Sequence, residues 1–210
     1  MKIPRLSHTL RIVSLILTAQ AGGTGCDDNT VQSQDDARRA YLGLDPSIDK
    51  AIDLGFQGFN QANSANIPAE TAAGALAGAV TVTGQVDQGS SSNKGMRLDV
   101  AMAGYSDVAH LTYDTGGGSA GGDAGAAPAL PALGMSLKSI PTGTLSGTLV
   151  GTFRMSGDLG GQVLLNLTFT GDLQADADGG AGGVTRKPGT VHVTGTATSP
   201  AGVFAVDVIK

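Results

Sequence analysis

The sequence predicts a mainly β protein. The expected architecture is an antiparallel meander of about seven to nine strands forming a sandwich or partly closed barrel, with one N-terminal helix packed on it. Three observations carry this reading. Apolar and polar residues alternate through most of the chain after residue 74, the signature of half-buried strands. Short polar turns rich in Gly, Asp and Ser separate those stretches. The composition, with 33 glycines in 210 residues, no Trp and 15% charged residues, suits strands and turns better than bundled helices.

The chain opens with Lys2, Arg5 and Arg11 and no acidic residue before Asp27. Ile12 to Ala21 follows as ten mostly apolar residues, too short to span a bilayer. A basic start and a short apolar run read as a cleavable secretory signal over residues 1–25. Two cleavage sites compete. Ala19-Gln20-Ala21 fits ordinary signal peptidase and would leave a secreted soluble chain starting at Gly22. Gly23-Thr24-Gly25-Cys26 resembles the lipobox of bacterial lipoproteins, although Gly23 stands where that family usually carries an aliphatic residue. The resemblance covers residues 1–26 and implies cleavage between Gly25 and Cys26, with Cys26 acylated as the mature N-terminus. It would also account for a lone cysteine in an exported chain.

Residues 26–44 read as a lipid-anchored flexible tether. Asp27 to Ala40 shows little apolar periodicity, and as a coil it would reach about 20 Å. Residues 45–210 read as a single β-rich domain. Asp45-Pro46 opens a helix over about 46–62, with Asp45 as cap and Pro46 in the first turn. Ile48, Ile52, Phe56 and Phe59 form one face; Ala51, Gly55, Gly58 and Ala62 form a small-residue stripe suited to close packing on a sheet.

Strands are expected from about residue 74. Leu76, Val80, Val82 and Val86 alternate with polar neighbours; a turn at Gly89–Gly95 leads to Met96, Leu98, Val100 and Met102. Val108–Asp114 reads as a third, shorter strand. Thr115–Pro131 is a low-complexity Gly/Ala/Pro loop. Leu145 to Met155 and Val163 to Leu173 form a second hairpin about Asp158–Gly161. Another Gly-rich loop covers Asp176–Gly189. Val191 and Val193, then Phe204, Val206 and Val208, supply the remaining strands. A motif of apolar, Ser/Thr, Gly, any, apolar recurs with Gly84, Gly147, Gly157, Gly171 and Gly195. These glycines notch the apolar face, either for curvature or as the lining of a ligand cavity.

Few residues carry a chemical signal. Gly117-Gly118-Ser119-Ala120-Gly121 has G-x-S-x-G spacing, but without the strand-to-helix elbow that chemistry needs. Asp172, Asp176 and Asp178 form a weak calcium candidate, with Gln174 and Thr185 where loop ligands would stand. His110 and His192 fall in expected strands without metal-ligand spacing. Removing residues 1–25 moves the formal net charge from −5 to −8, which argues against nucleic acid as a partner. No cofactor and no catalytic grouping are expected. The expected function is that of a non-catalytic, membrane-anchored cell-envelope protein. Its expected partners are the membrane, through N-terminal acyl chains, and an envelope protein. The alternative is a carrier of an apolar ligand in the curved sheet.

Overall fold

A computed structural model describes residues 29–87, 92–116 and 129–210. The expected signal, Gly25, Cys26, the G-x-S-x-G run and most of the 115–131 loop lie outside them. The described chain is one helix, α1 (Gln34–Gln61), followed by strands β1 (Asn66–Ala73), β2 (Ala77–Val86), β3 (Asn93–Ser106), β4 (Leu111–Asp114), β5 (Ala132–Lys138), β6 (Thr144–Gly157), β7 (Gly161–Ala175), β8 (Val184–Arg186), β9 (His192–Ser199) and β10 (Gly202–Ile209).

Every strand pair is antiparallel. The main path runs β1-β2-β3-β4-β6-β7-β9-β10 in a ten-stranded sheet among the described residues. β5 also lies between β3 and β6, and β8 pairs with the end of β7 beyond β9. The sheet curls into a partly closed ring. β1 and β10 end it without pairing to each other, and α1 packs against both.

The helix begins a full twelve residues before the expected position, so the tether expected over 26–44 is corrected from Gln34 onward. Ser33 is the N-cap: its hydroxyl accepts the Asp36 amide at 3.1 Å and donates to the Asp36 carboxylate at 2.8 Å. Asp35 and Asp36 in the first turn also favour the helix dipole. Val31, Ala37, Ala40, Tyr41 and Leu44 are buried, which continues the apolar face of Ile48, Ile52 and Phe56 towards the N-terminus. Asp45 is not a cap, and Pro46 stands inside the helix. Pro46 offers no amide to the carbonyl one turn back. Nearby carbonyls receive donors from outside the helical ladder: Ser47 Oγ at 2.6 Å from Leu44 O and Arg186 Nη2 at 2.8 Å from Asp45 O.

Burial of α1 on most of its surface requires small residues where strands press closest. A Cβ on Gly43 would meet the Tyr113 hydroxyl at 2.1 Å, and one on Gly58 would meet Ile67 at 2.8 Å. Around the helix, inward residues alternate along each strand, as at Val163, Leu165, Leu167 and Phe169 of β7. In β3 the parity changes. Inward residues are even-numbered through Met102, then Tyr105 points in, because a register shift near Gly104 adds one residue against β2. Such a bulge re-aims a side chain. It brings Tyr105 inside with Tyr113, whose hydroxyl donates to Ala40 O at 2.8 Å.

Three strands were not anticipated. β1 carries Pro68 and a register irregularity between Ile67 and Glu70, features tolerated at a sheet edge. β5 and β8 are short and lie in or beside Gly-rich stretches. Leu76, expected on the inner face, is exposed in the turn before β2.

The recurring glycines mark close approach of strands. Gly195 has φ +147°, and a Cβ there would sit 2.1 Å from Asn166 O on β7. Gly84 repeats this arrangement against Arg97 O. At Gly147 the notch is filled, because the Phe169 ring on the paired strand crosses it. Replacing Gly195 with Val combines backbone strain with a steric clash. We expect a loss of about 3 kcal/mol in urea unfolding. Gly134→Ala, which would meet only the Thr148 hydroxyl at 3.3 Å, is expected to change stability by less than about 1 kcal/mol.

Candidate functional site

The polar groups of the interior gather along one side of α1, where Asp45, Asp49 and Asp53 follow at one-turn intervals. β8 pairs Arg186 with Leu173 and so turns its guanidinium under the helix. Arg186 Nη1 lies 2.8 Å from Asp45 Oδ1, while Nε and Nη2 bracket the Asp49 carboxylate at 2.8 and 2.7 Å. The Tyr41 hydroxyl donates to Asp45 Oδ1 at 2.5 Å, and Lys210 Nζ stands 3.6 Å from Asp45 Oδ2. The Arg186 and Asp45 side chains are 6% and 7% exposed.

Burial alone would raise the Asp45 pKa. Hydrogen bonds and charge from Arg186 outweigh it and hold the carboxyl below its ordinary value. Burial, then the Asp45 charge, pushes the Tyr41 hydroxyl up. Arg186 is held protonated against its own burial by Asp49 and Asp45. The charged groups are committed to one another, so this cluster is a clamp between helix and sheet. It presents no free nucleophile or base.

A second cluster lies one turn further along α1. Asp176 caps its own loop, accepting the Asp178 amide at 3.1 Å on Oδ1 and the Gly180 amide at 2.5 Å on Oδ2. A Cβ on Gly180 would lie 2.3 Å from Asp53 Oδ1 and 2.5 Å from Asp176 Oδ2, so the two carboxyl groups are neighbours. Asp53 Oδ1 is buried without a hydrogen-bond partner among the described residues. Burial, then the charges of Asp176 and Asp49, raise the Asp53 pKa; the Gly182 amide opposes them.

The calcium candidate is therefore dispersed. Asp176 is engaged by its loop and Asp178 is exposed. The Asp172 backbone is held by the Thr190 hydroxyl and the Lys187 amide. Gln174 and Thr185 face each other in the β7–β8 ladder. Among the described residues, no group of three His, Cys, Asp or Glu side chains is arranged to hold a metal. His110 is not in a strand; it occupies a turn with φ +64°. His192 lies in β9 with its ring 2.8 Å from Asp207 on β10. Asp45 is a buried ion-pair partner and not the expected cap, and nothing in the sequence assigns a role to Asp49, Asp53 or Arg186, although the one-turn spacing of the three carboxylates is visible there.

A third set fixes residues 29–31, just ahead of α1. Asn29 Nδ2 donates to Gly157 O at 3.0 Å, and Asn29 O accepts the Gly160 amide at 2.8 Å. Ser199 Oγ donates to Val31 O at 2.6 Å. Residues 29–31 are thus held at the end of the ring formed by the β6–β7 and β9–β10 turns. A groove of about 950 Å³ runs past Met102, Leu130, Val150, Asp114, Arg154 and Gln162. No protein-family model, curated protein or solved structure matches the chain.

Arg186→Met would leave the buried Asp45 carboxylate and the partly exposed Asp49 without the guanidinium between them. A loss of about 3–5 kcal/mol in denaturant unfolding is expected. Removing the exposed Arg97–Asp87 pair by Arg97→Met should change stability by less than about 1 kcal/mol. Asp53 has the opposite sign. A carboxyl with a raised folded pKa destabilises the fold when ionised, and stability returns as pH falls through that raised value. Asp53→Asn is therefore expected to be more stable than the parent at neutral pH. The difference should shrink as the pH falls through the raised Asp53 pKa, read from thermal unfolding midpoints across the acidic range.

Proposed function

We propose that this chain is a non-catalytic, lipid-anchored cell-envelope protein whose ring-shaped domain has a structural or protein-contact role. The observation that carries this reading is the attachment of residues 29–31 to the ring, close behind the lipobox-like Gly23–Cys26 run. Cys26 stands three residues before Asn29, so even a fully extended link spans only about 10 Å. Acyl chains on Cys26 would hold the end bearing the β6–β7 and β9–β10 turns close to the bilayer. Two or more chains suffice for stable anchoring, at about 0.8 kcal/mol per buried CH₂. The acidic net charge supplies no attraction of its own to anionic headgroups.

The interior supports a contact role over a catalytic one. Arg186 is committed to Asp45 and Asp49, and α1 packs against β1, β2 and β10. A second reading, carriage of an apolar ligand, draws on the groove beside Met102, Leu130 and Val150. Native mass spectrometry of protein purified from its own envelope separates the two, since a carrier would retain a small molecule.

Metabolic labelling with a fatty acid tests the anchor. The parent is expected to carry label and to sediment with membranes, and Cys26→Ser to lose both. Unchanged labelling of the variant, or a mature chain starting at Gly22, would overturn the assignment.

A further inference from the structure

We propose that the free edge of β10 joins two copies of this chain into one continuous antiparallel sheet about a two-fold axis. The hydrogen-bond phase of β10 identifies the surface. Lys210 and Val191 exchange both backbone bonds, at 2.8 and 3.0 Å, and Val208 pairs with Val193 two residues on. Alternation in an antiparallel ladder then turns the amides and carbonyls of Phe204, Val206 and Val208 towards β9. Those of Val203, Ala205, Asp207 and Ile209 point away from it. Among the described residues they meet no backbone partner.

The two edges of the sheet are unlike. β1 carries Pro68, a register irregularity, and Lys50 Nζ on the Ala73 carbonyl at 3.0 Å. Each of these blunts an edge against further pairing. β10 (GVFAVDVI) has no Pro, no Lys and no bulge. Its outward side chains include Val203 and Ile209, 65% and 69% exposed.

The occupant follows from self-complementarity. Edge-facing residues must pair with edge-facing residues. The register that sets Val203 opposite Ile209 of the second copy also sets Ala205 opposite Asp207. Both exposed apolar side chains are then covered, and the two carboxylates are kept apart. Sliding by one step in one direction brings Asp207 against its own equivalent, a like-charge pair that destabilises a sheet. Sliding the other way places Val203 against Asp207 and leaves Ile209 overhanging. The favoured arrangement is isologous and closes on itself. With few residues a side it is a small interface, of the weak class.

The test uses the full chain carrying Cys26→Ser, so that acyl chains play no part and its outcome is separate from that of the anchor. Sedimentation velocity across the micromolar range is expected to show a concentration-dependent dimer. Ala205→Pro removes an amide that points away from β9, and Val203→Lys with Ile209→Lys charges both outer positions. Each is expected to weaken the dimer by about tenfold or more. The lysine variant keeps the test decisive if the proline variant fails to fold. Paired residues in such a ladder lie about 5.5 Å apart, within disulfide range. Copies with Val203→Cys mixed with copies with Ile209→Cys should therefore crosslink on oxidation far more than either alone. A monomer at every concentration, a dimer indifferent to the lysine variant, or crosslinking of Val203→Cys copies alone as readily as the mixture would overturn the proposal.

Discussion

Two carboxylates one turn apart on a helix that is buried on most sides require a cation, and Arg186 is the group that meets them. Desolvating Arg186 and Asp45 costs several kcal/mol each, which only close, multiple hydrogen bonds offset. Arg186 makes four, two to Asp49 and two to Asp45, including the Asp45 carbonyl beside Pro46. The same contact sets where the helix sits. A slide of half a turn, about 2.7 Å, would break the hydrogen bonds between the guanidinium and the carboxylates it holds. An apolar core tolerates small shifts of this kind more readily than a charged clamp does.

Around that clamp, packing and curvature solve one problem from two sides. The helix narrows at Gly43 and Gly58, where Tyr113 and Ile67 press against it. The sheet draws its strands together where glycines such as Gly84 and Gly195 leave room for the next strand's carbonyl. Aromatic side chains then take up leftover space: Phe169 crosses the Gly147 notch, and Tyr113 meets Phe153 edge-on with centroids 6.4 Å apart. Tyr105 and Asp107 add a second tie to the helix through Lys50, whose Nζ lies 2.6 Å from the Asp107 carboxylate. A chain with only eight Phe and Tyr residues fills its interior by placing five of them in the most buried positions.

Strands with clean alternation were legible from sequence. β2, β3, β6, β7 and β10 each place apolar residues two apart over most of their length. β5 and β8 are short and gain their pairing from neighbours, so local pattern says little about them. The helix start was misread because Asp45-Pro46 has the local form of an N-terminus. The stronger signal lay upstream, where Ser33 and Asp36 form a capping pair and Ala37 and Ala40 continue the apolar face with small side chains. The acidic loop shows the limit of spacing rules. Asp172, Asp176 and Asp178 are close in sequence, yet the carboxyl that meets Asp176 across Gly180 comes from the helix. Only the closed fold brings Asp53 there.

The order of elements along the chain has a kinetic corollary. α1 precedes every strand, yet its acidic side finds its cation 141 residues later, at Arg186. The helix also packs on β10, the last strand of the sheet path. Contacts so distant in sequence must wait for large loops to close, which makes folding slow. Such a polypeptide stays threadable through a narrow conduit until nearly all of it has emerged.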